Sequence, residues 1–316
     1  MDGSEELSRR AIGLHGWHFV GSRREMGGPL HPAAVGGLPL MLVAGADGVH
    51  VFSSVCPHRG ADLARGGTLV ADRVRCAFHG REVALGGDDP CSSVPEYPSI
   101  DVGGCVFCLV GSDDPDRDSG FRAFATRLAR EHWVVPGFVL DIDVSAPFVI
   151  ENAFDADHFQ SVHGVERRPE LEVATAPDGH LVVTTTFFAR MLNPWQQRAR
   201  RPNGELVDTH FRAHVFSPWL VASEIGDDDD PSIVITGSSP RPDGGCTVRV
   251  AVALPRREGA SPPPQATVTA LLADSRKAFE QDTPVWTHLH EWAADRYGPG
   301  DEAVRRFRSF CRRFMA

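Results

Sequence analysis

The stretch VCPHRGADLARGGTLVADRVRCAFHG, residues 55–80, pairs Cys56 with His58 and Cys76 with His79, with 17 residues between the two pairs. Two thiols and two imidazoles in two short clusters are a metal-ligand set. A structural zinc accepts these donors, but its ligands usually come as Cys with Cys and His with His, not as mixed couples. Mixed couples suit a [2Fe-2S] cluster in which two thiolates hold one iron and two imidazoles the other, an arrangement that raises the reduction potential above that of all-thiolate ferredoxins. On that reading Cys56 and Cys76 bind the first iron, and His58 and His79 the second. Pro57 stiffens the first loop, while Gly60 and Gly80 let backbone amides approach the cluster sulfurs.

A second donor set lies in ENAFDADHFQSVHG, residues 151–164, which holds Asn152, Asp155, His158 and His163. On a helix, Asp155 and His158 would share a face, setting a carboxylate beside an imidazole as its outer partner. Two histidines joined by a carboxylate from elsewhere form the facial triad of non-haem Fe(II) sites, with open positions for O2. Taken alone, the pair reads more readily as two ordinary helical histidines; the Asn, the Asp and the upstream cluster set argue for the triad. The third ligand belongs well downstream, where AFEQDTPVWTHLHEW (278–292) offers Glu280, Asp282 and Glu291. Asp282 is the choice, against the plainer reading of an exposed helical acid. Residues five apart on a regular helix point about 140° apart, since each residue turns roughly 100°. A wide π-type turn or a helix end, helped by Gly164, is therefore expected between His158 and His163.

These loops need elements to hold them. From Trp17 to about Val110, short β-type runs alternate with Gly and Pro turns, the pattern of a small antiparallel β domain. CVFCLV (105–110) has a C-x-x-C spacing but no second ligand pair, and reads as a core strand. GSDDPDRDSG (111–120) is the connector, dividing the chain into 1–120 and 121–316. The second part reads as α+β: a strand leading to a Pro start, a helical segment around 147–163, several further strands, and a long helical C-terminus from about Gln265. GDDDDP (226–231) reads as a solvated loop.

Composition fits this division. A chain of 316 residues with 42% hydrophobic content can bury two cores. No apolar run approaches the roughly 18 to 20 residues of a membrane span, so no membrane partner is expected. The polar start lacks the features of a signal peptide, and a cytoplasmic setting is expected. Seven cysteines, an odd number, argue against a disulfide framework. A net charge of −10 argues against nucleic acid as a partner.

Taken together, CPHRGADL, CAFHG, ENAFDADHFQSVHG, FEQDTPVW and the Arg-rich ending DEAVRRFRSFCRRFM resemble the Rieske non-haem iron oxygenases. The likeness is to stand-alone (α-only) catalytic α subunits, the branch of 3-ketosteroid 9α-hydroxylase, cholesterol desaturases and demethylating monooxygenases. It covers nearly the whole chain. It implies an N-terminal all-β Rieske [2Fe-2S] domain and a C-terminal helix-grip (START-like) domain with an antiparallel sheet and long helices. It also implies His158, His163 and Asp282 as ligands of a mononuclear Fe(II), with Asp155 linking the Rieske histidine of one subunit to the iron histidine of the next. The expected partners are O2, a ferredoxin or ferredoxin reductase that passes on NAD(P)H electrons, and further copies of the chain in a head-to-tail trimer. The expected reaction is hydroxylation or monooxygenation of a mainly apolar small organic substrate. Desaturation, demethylation or oxidative cyclisation is the alternative. An electron-transfer Rieske protein with a binding domain is a further alternative, but it has no reason for the second donor set. Phe154, Phe159, Met191, Trp195, Phe211, Phe216 and Trp219 are candidates to line an apolar cavity. One departure is Arg81, where the family more often has an aromatic residue after HG.

Overall fold

The computed structural model describes residues 13–87, 89–111, 118–190, 206–226, 231–256, 261–291 and 296–315. The central part of the acidic run, most of the connector, and Met191 and Trp195 lie outside these residues.

The N-terminal part is built from three small sheets. Strands β1 (Gly16–Ser22), β11 (Cys105–Val110) and β10 (Ser99–Val102) form the first, in the order β1-β11-β10. The CVFCLV run is β11, buried at every position and central in its sheet, which is why it lacks polar alternation. The second sheet joins β2 (Leu30–Val35), β3 (Leu38–Ala44), β4 (Val49–Ser53) and β9 (Glu96–Tyr97). The third joins β5 (Thr68–Val70), β6 (Arg73–Arg75), β7 (Glu82–Leu85) and β8 (Ser93–Val94). The donor loops leave β4 and β6, so both pairs project from one end of this part.

The C-terminal part is α+β. Its seven-stranded antiparallel sheet runs β12 (His132–Ile142), β18 (Cys246–Pro255), β17 (Ser232–Pro240), β16 (Leu220–Gly226), β15 (Leu206–Ser217), β14 (Leu181–Arg190) and β13 (Glu172–Thr175). The helices are α1 (Phe121–Glu131), α2 (Ala146–Glu151), a 3₁₀ turn at Asn152–Phe154, α3 (Ala156–Ser161), α4 (Gln265–Trp286) and α5 (Glu302–Cys311).

The period-2 alternation of the strands gives the sheet two apolar faces. One face carries Val183, Ala213 and Val215, which pack on Phe154 and on Phe307 of α5. Farther along the sheet, Val252 and Leu254 of β18 meet Val268 and Leu271 of α4. The opposite face carries Phe216, Leu220, Ile235 and Ala251, and its core includes Trp17, Phe19 and Phe107 from the N-terminal part together with Phe121 of α1. The two parts therefore share a core. Contact is close enough that a Cβ at Gly237 would meet the Phe19 Cβ at 2.2 Å, so only glycine fits there. Arg249 of β18 also forms an ion pair with Glu25, with 3.0 Å between Nη2 and Oε2.

Three of the aromatics expected at a cavity are buried in hydrophobic cores instead. Phe154 and Phe216 are fully buried, Phe216 on the face away from His158 and His163. Trp219 is buried, and its indole N–H donates to the His15 carbonyl at 2.9 Å. An aromatic on a strand does not by itself disclose which face it serves.

Candidate metal centres

The two donor loops repeat one backbone turn. Cys56 N–H donates to the Ala61 carbonyl at 2.8 Å, and Gly60 N–H returns to the Cys56 carbonyl at 2.9 Å. Cys76, Arg81 and Gly80 make the same two bonds at the same lengths. Both glycines are left-handed, with φ of 71° and 66°, a conformation that costs a side-chain-bearing residue energy. The repeat places both thiols inside, 2% and 3% exposed, with His58 half-buried and His79 exposed at the tip. The imidazole centroids lie 4.7 Å apart.

Burial pushes the Cys56 thiol up from its ordinary range, opposed chiefly by its hydrogen bond with the His58 backbone, while the adjacent Cys76 adds to the rise. Two buried thiols side by side, with backbone bonds favouring the thiolate and two imidazoles above them, fit a cluster held by two sulfurs and two nitrogens. The His58 imidazole is held below its usual range by burial first, then by Arg81, His79 and Arg59. Arg81 thus adds positive charge where an aromatic is commoner.

The second centre forms where α3 stops. The helix ends at Ser161, Gly164 takes φ 68°, and Val165 N–H bonds to the Phe159 carbonyl at 3.1 Å. His163 therefore leaves the helical track, as the five-residue spacing demands. Its Nε2 comes 3.0 Å from His158 Nε2, with the rings almost perpendicular at 89°. Asp282, on α4 and 5% exposed, places Oδ1 3.2 Å from His158 Nε2 and 3.5 Å from His163 Nε2. Among the described residues these three form a group whose donor atoms lie within 4.8 Å of one another. Of the other two acids, Glu280 is exposed, and Glu291 accepts from the backbone and hydroxyl of Ser145.

Neutral amides surround the trio. Asn152 Nδ2 donates to Asp282 Oδ2 at 3.2 Å, and Gln281 Oε1 lies 3.2 Å from His163 Nδ1. With Oδ2 so engaged, Asp282 Oδ1 is buried without a hydrogen-bond partner. Buried carboxylate oxygens are normally satisfied, and an unpaired one carries a desolvation cost. If His163 spends its single proton on Gln281, its Nε2 presents a lone pair to the same space. Lone pairs crowded around one point fit a bound cation, and the mixed nitrogen and oxygen set suits Fe(II).

Asp155 departs from expectation. It precedes α3 instead of lying on it, and its Oδ1 accepts from the backbone N–H of Asp157 and of His158, both at 3.0 Å. Through Oδ1 the carboxylate caps first-turn amides that have no helical partner. The sequence reading also missed Gln281 and the Glu151–Arg308 ion pair, 2.8 Å on one arm, which ties the end of α2 to α5. Phe154 stacks on Phe307 at 5.0 Å in the same contact. The signals available were a polar residue adjoining Asp282 and an arginine in the C-terminal run.

A β domain with a mixed thiol and imidazole set, joined to an α+β domain whose helices bring two histidines and an aspartate together, defines the oxygenase component of a Rieske system. Residues 16–102 match the Rieske [2Fe-2S] domain, and residues 119–315 match the 3-ketosteroid 9α-hydroxylase C-terminal domain. The chain belongs to the Rieske oxygenase α subunits with that C-terminal domain, a family that carries a Rieske cluster and a mononuclear iron. It is 28% identical over 128 residues to cholesterol 7-desaturase nvd of Xenopus laevis, covering 36% of this chain and 28% of that protein. It is 34% identical over 82 residues to the oxygenase component of 3-ketosteroid-9-alpha-monooxygenase of Rhodococcus rhodochrous, covering 25% and 21%. The matched segments thus span about a quarter of these relatives' length. Among solved structures, dicamba monooxygenase bound to 3,6-dichlorosalicylic acid aligns with a TM-score of 0.73 at 17% identity, over 95% of this chain and 97% of that one. NdmA of Pseudomonas putida CBB5 with caffeine aligns at 0.67 and 17%, over 94% and 90%. These likenesses show the fold.

Proposed function

We propose that the chain is the terminal oxygenase of a Rieske system that oxidises a mainly apolar small organic molecule with O2. The carrying observation is the convergence of His158 Nε2, His163 Nε2 and the unpartnered Asp282 Oδ1 on one point. In this reading Cys56, His58, Cys76 and His79 hold the cluster, and His158, His163 and Asp282 hold the mononuclear iron. When loaded, the two centres supply electrons one at a time and the activation of O2 for attack on a C–H bond. Asn152 orients Asp282 by taking up its second oxygen. Phe159, Phe187 and Phe211, whose ring centroids lie 4.8 to 5.6 Å apart, form an aromatic wall beside His163 that keeps water away and favours an apolar substrate.

The exposed His79 is the point of electron entry and exit. Asp155, at the surface end of α3, receives the tip of a neighbouring subunit in a head-to-tail homotrimer, and a ferredoxin or ferredoxin reductase passes on NAD(P)H electrons. Seven free cysteines suit a reducing, cytoplasmic setting. Among the described residues, no helix is long and apolar enough to cross a membrane.

Metal analysis tests the reading: the oxygenase holds about three irons per chain, two in the cluster and one mononuclear, and Asp282→Ala loses only the last. A protein with cluster iron alone would be an electron carrier. A substrate screen with a generic ferredoxin reductase, read by product mass, then separates hydroxylation, desaturation, demethylation and cyclisation. Gel filtration reports the trimer.

A further inference from the structure

His158 and His163 are not held alike. The His163 side chain is 20% exposed against 9% for His158, and it lies beyond the end of α3, so packing does less to fix its ring. What holds its outer edge is the residue immediately before Asp282. Gln281 Oε1 lies 3.2 Å from His163 Nδ1. We propose that Gln281 is a positioning residue for the mononuclear site: its side-chain carbonyl fixes the His163 proton on Nδ1 and turns the Nε2 lone pair toward the metal. This inference rests on the reading that His158, His163 and Asp282 hold that metal.

The reason is tautomer competition. A neutral imidazole carries one proton on either nitrogen, and only the unprotonated nitrogen can bind a metal. Around His163 Nε2 stand Asp282 Oδ1 at 3.5 Å and His158 Nε2 at 3.0 Å, the latter an acceptor when His158 carries its proton on Nδ1. Left alone, they draw the proton onto Nε2, the tautomer that blocks metal binding. An acceptor at Nδ1 reverses that preference, and a side-chain carbonyl does so without adding charge to a ligand set that already contains one carboxylate. The opposite amide orientation would donate to Nδ1 and force the proton onto Nε2, so the oxygen must face the ring.

Helix geometry explains how one segment does both jobs. Neighbouring residues on α4 point about 100° apart. Asp282 faces the core, while Gln281 starts from the exposed side and has the length to reach round to the outer edge of the ring. Asn152 serves Asp282 in the opposite sense, as a donor. Each of these two ligands thus has an amide partner of matching polarity.

The test uses the full-length protein with its cluster intact and its mononuclear metal removed by a chelator. Co(II) is then titrated in under anaerobic conditions, with visible absorption reporting both affinity and ligand geometry. Gln281→Leu should weaken Co(II) binding about 10- to 100-fold, with the cluster spectrum and thermal midpoint unchanged. Gln281→Glu keeps an acceptor at Nδ1 and should bind within about threefold of wild type. A Leu variant with wild-type affinity and spectrum overturns the inference, as does a Glu variant as weak as the Leu variant. Wild-type protein that binds no Co(II) overturns the metal reading, and this inference with it.

Discussion

Asn152 Nδ2 donates to Asp282 Oδ2 at 3.2 Å across 130 residues of chain. The bond joins the 3₁₀ turn before α3 to the last turns of α4, the two segments whose donor atoms converge. It removes one carboxylate oxygen from play and leaves the other, Oδ1, buried beside both imidazoles without a hydrogen bond. A carboxylate left to rotate could offer either oxygen or both. Held at one end, it offers one oxygen, Oδ1, to the point that both imidazoles approach.

Asn152→Leu should therefore loosen Asp282 and lower mononuclear iron occupancy, with metal affinity down by at least about tenfold. The cluster spectrum should be unaffected, because none of its ligands lies near Asn152 in the chain. Iron analysis with visible absorption checks both at once. Full three-iron content would show that Asn152 does not govern the carboxylate.

Both donor sets could be read from the sequence because each rests on residue type and short spacing. The two cluster loops prove to be one turn made twice, down to the left-handed Gly60 and Gly80. The five-residue interval between His158 and His163 foretold a helix end by geometry alone. What stayed hidden depends on through-space packing. Trp17 and Phe19 meet Phe216 and Ile235 in a core shared by both parts, and no local pattern announces that meeting. Asp155 shows another limit, since an acid three residues before a histidine suits a helix face and an N-cap equally well. Gln281 carries no signal in the sequence, because a glutamine on the exposed side of a helix ordinarily faces solvent.

Capping and electron transfer can be separated at Asp155. Asp155→Asn keeps an Oδ1 to accept from Asp157 and His158 but removes the charge. Stability should change little, both metals should stay bound, and turnover should fall by orders of magnitude. Asp155→Ala should show the same loss of turnover and also cost about 1 kcal/mol as the cap disappears. Urea unfolding and steady-state rates distinguish these outcomes; an Asn variant with full activity would make Asp155 a cap and no more.

At the other centre, where Cys56, His58, Cys76 and His79 are proposed to hold the cluster, His58→Cys would convert that set to three thiolates and one imidazole. More thiolate places more negative charge on the cluster, so its potential should fall and its optical and EPR spectra should shift toward those of ferredoxins. The backbone turn does not depend on this side chain, since its bonds run through Cys56, Gly60 and Ala61. A variant with unchanged spectra and potential would remove His58 from the ligands.

The last expectation concerns acid stability and comes from a histidine outside both centres. His18 on β1 is fully buried, stacks on Trp219 at 5.4 Å, and is bonded through Nε2 to the Leu14 carbonyl at 2.8 Å. Its Nδ1 is buried without a partner, so protonation there would place a charge in an apolar core. Burial lowers its pKa from 6.5 to about 3, with the Leu14 carbonyl opposing the shift. Between these two values the unfolded chain binds a proton that the folded chain refuses, so folding stability rises with pH across this window. The contribution is complete above about pH 6.5 and is lost as the pH falls toward 3. Each unit of pKa difference is worth about 1.4 kcal/mol, which puts the full effect on the order of 5 kcal/mol. His18→Phe keeps a ring against Trp219 and cannot protonate. Its stability should fall between pH 7 and pH 5 by about 2 kcal/mol less than that of the wild type. Urea unfolding at the two pH values measures this difference, and equal losses in both proteins would place the acid sensitivity elsewhere.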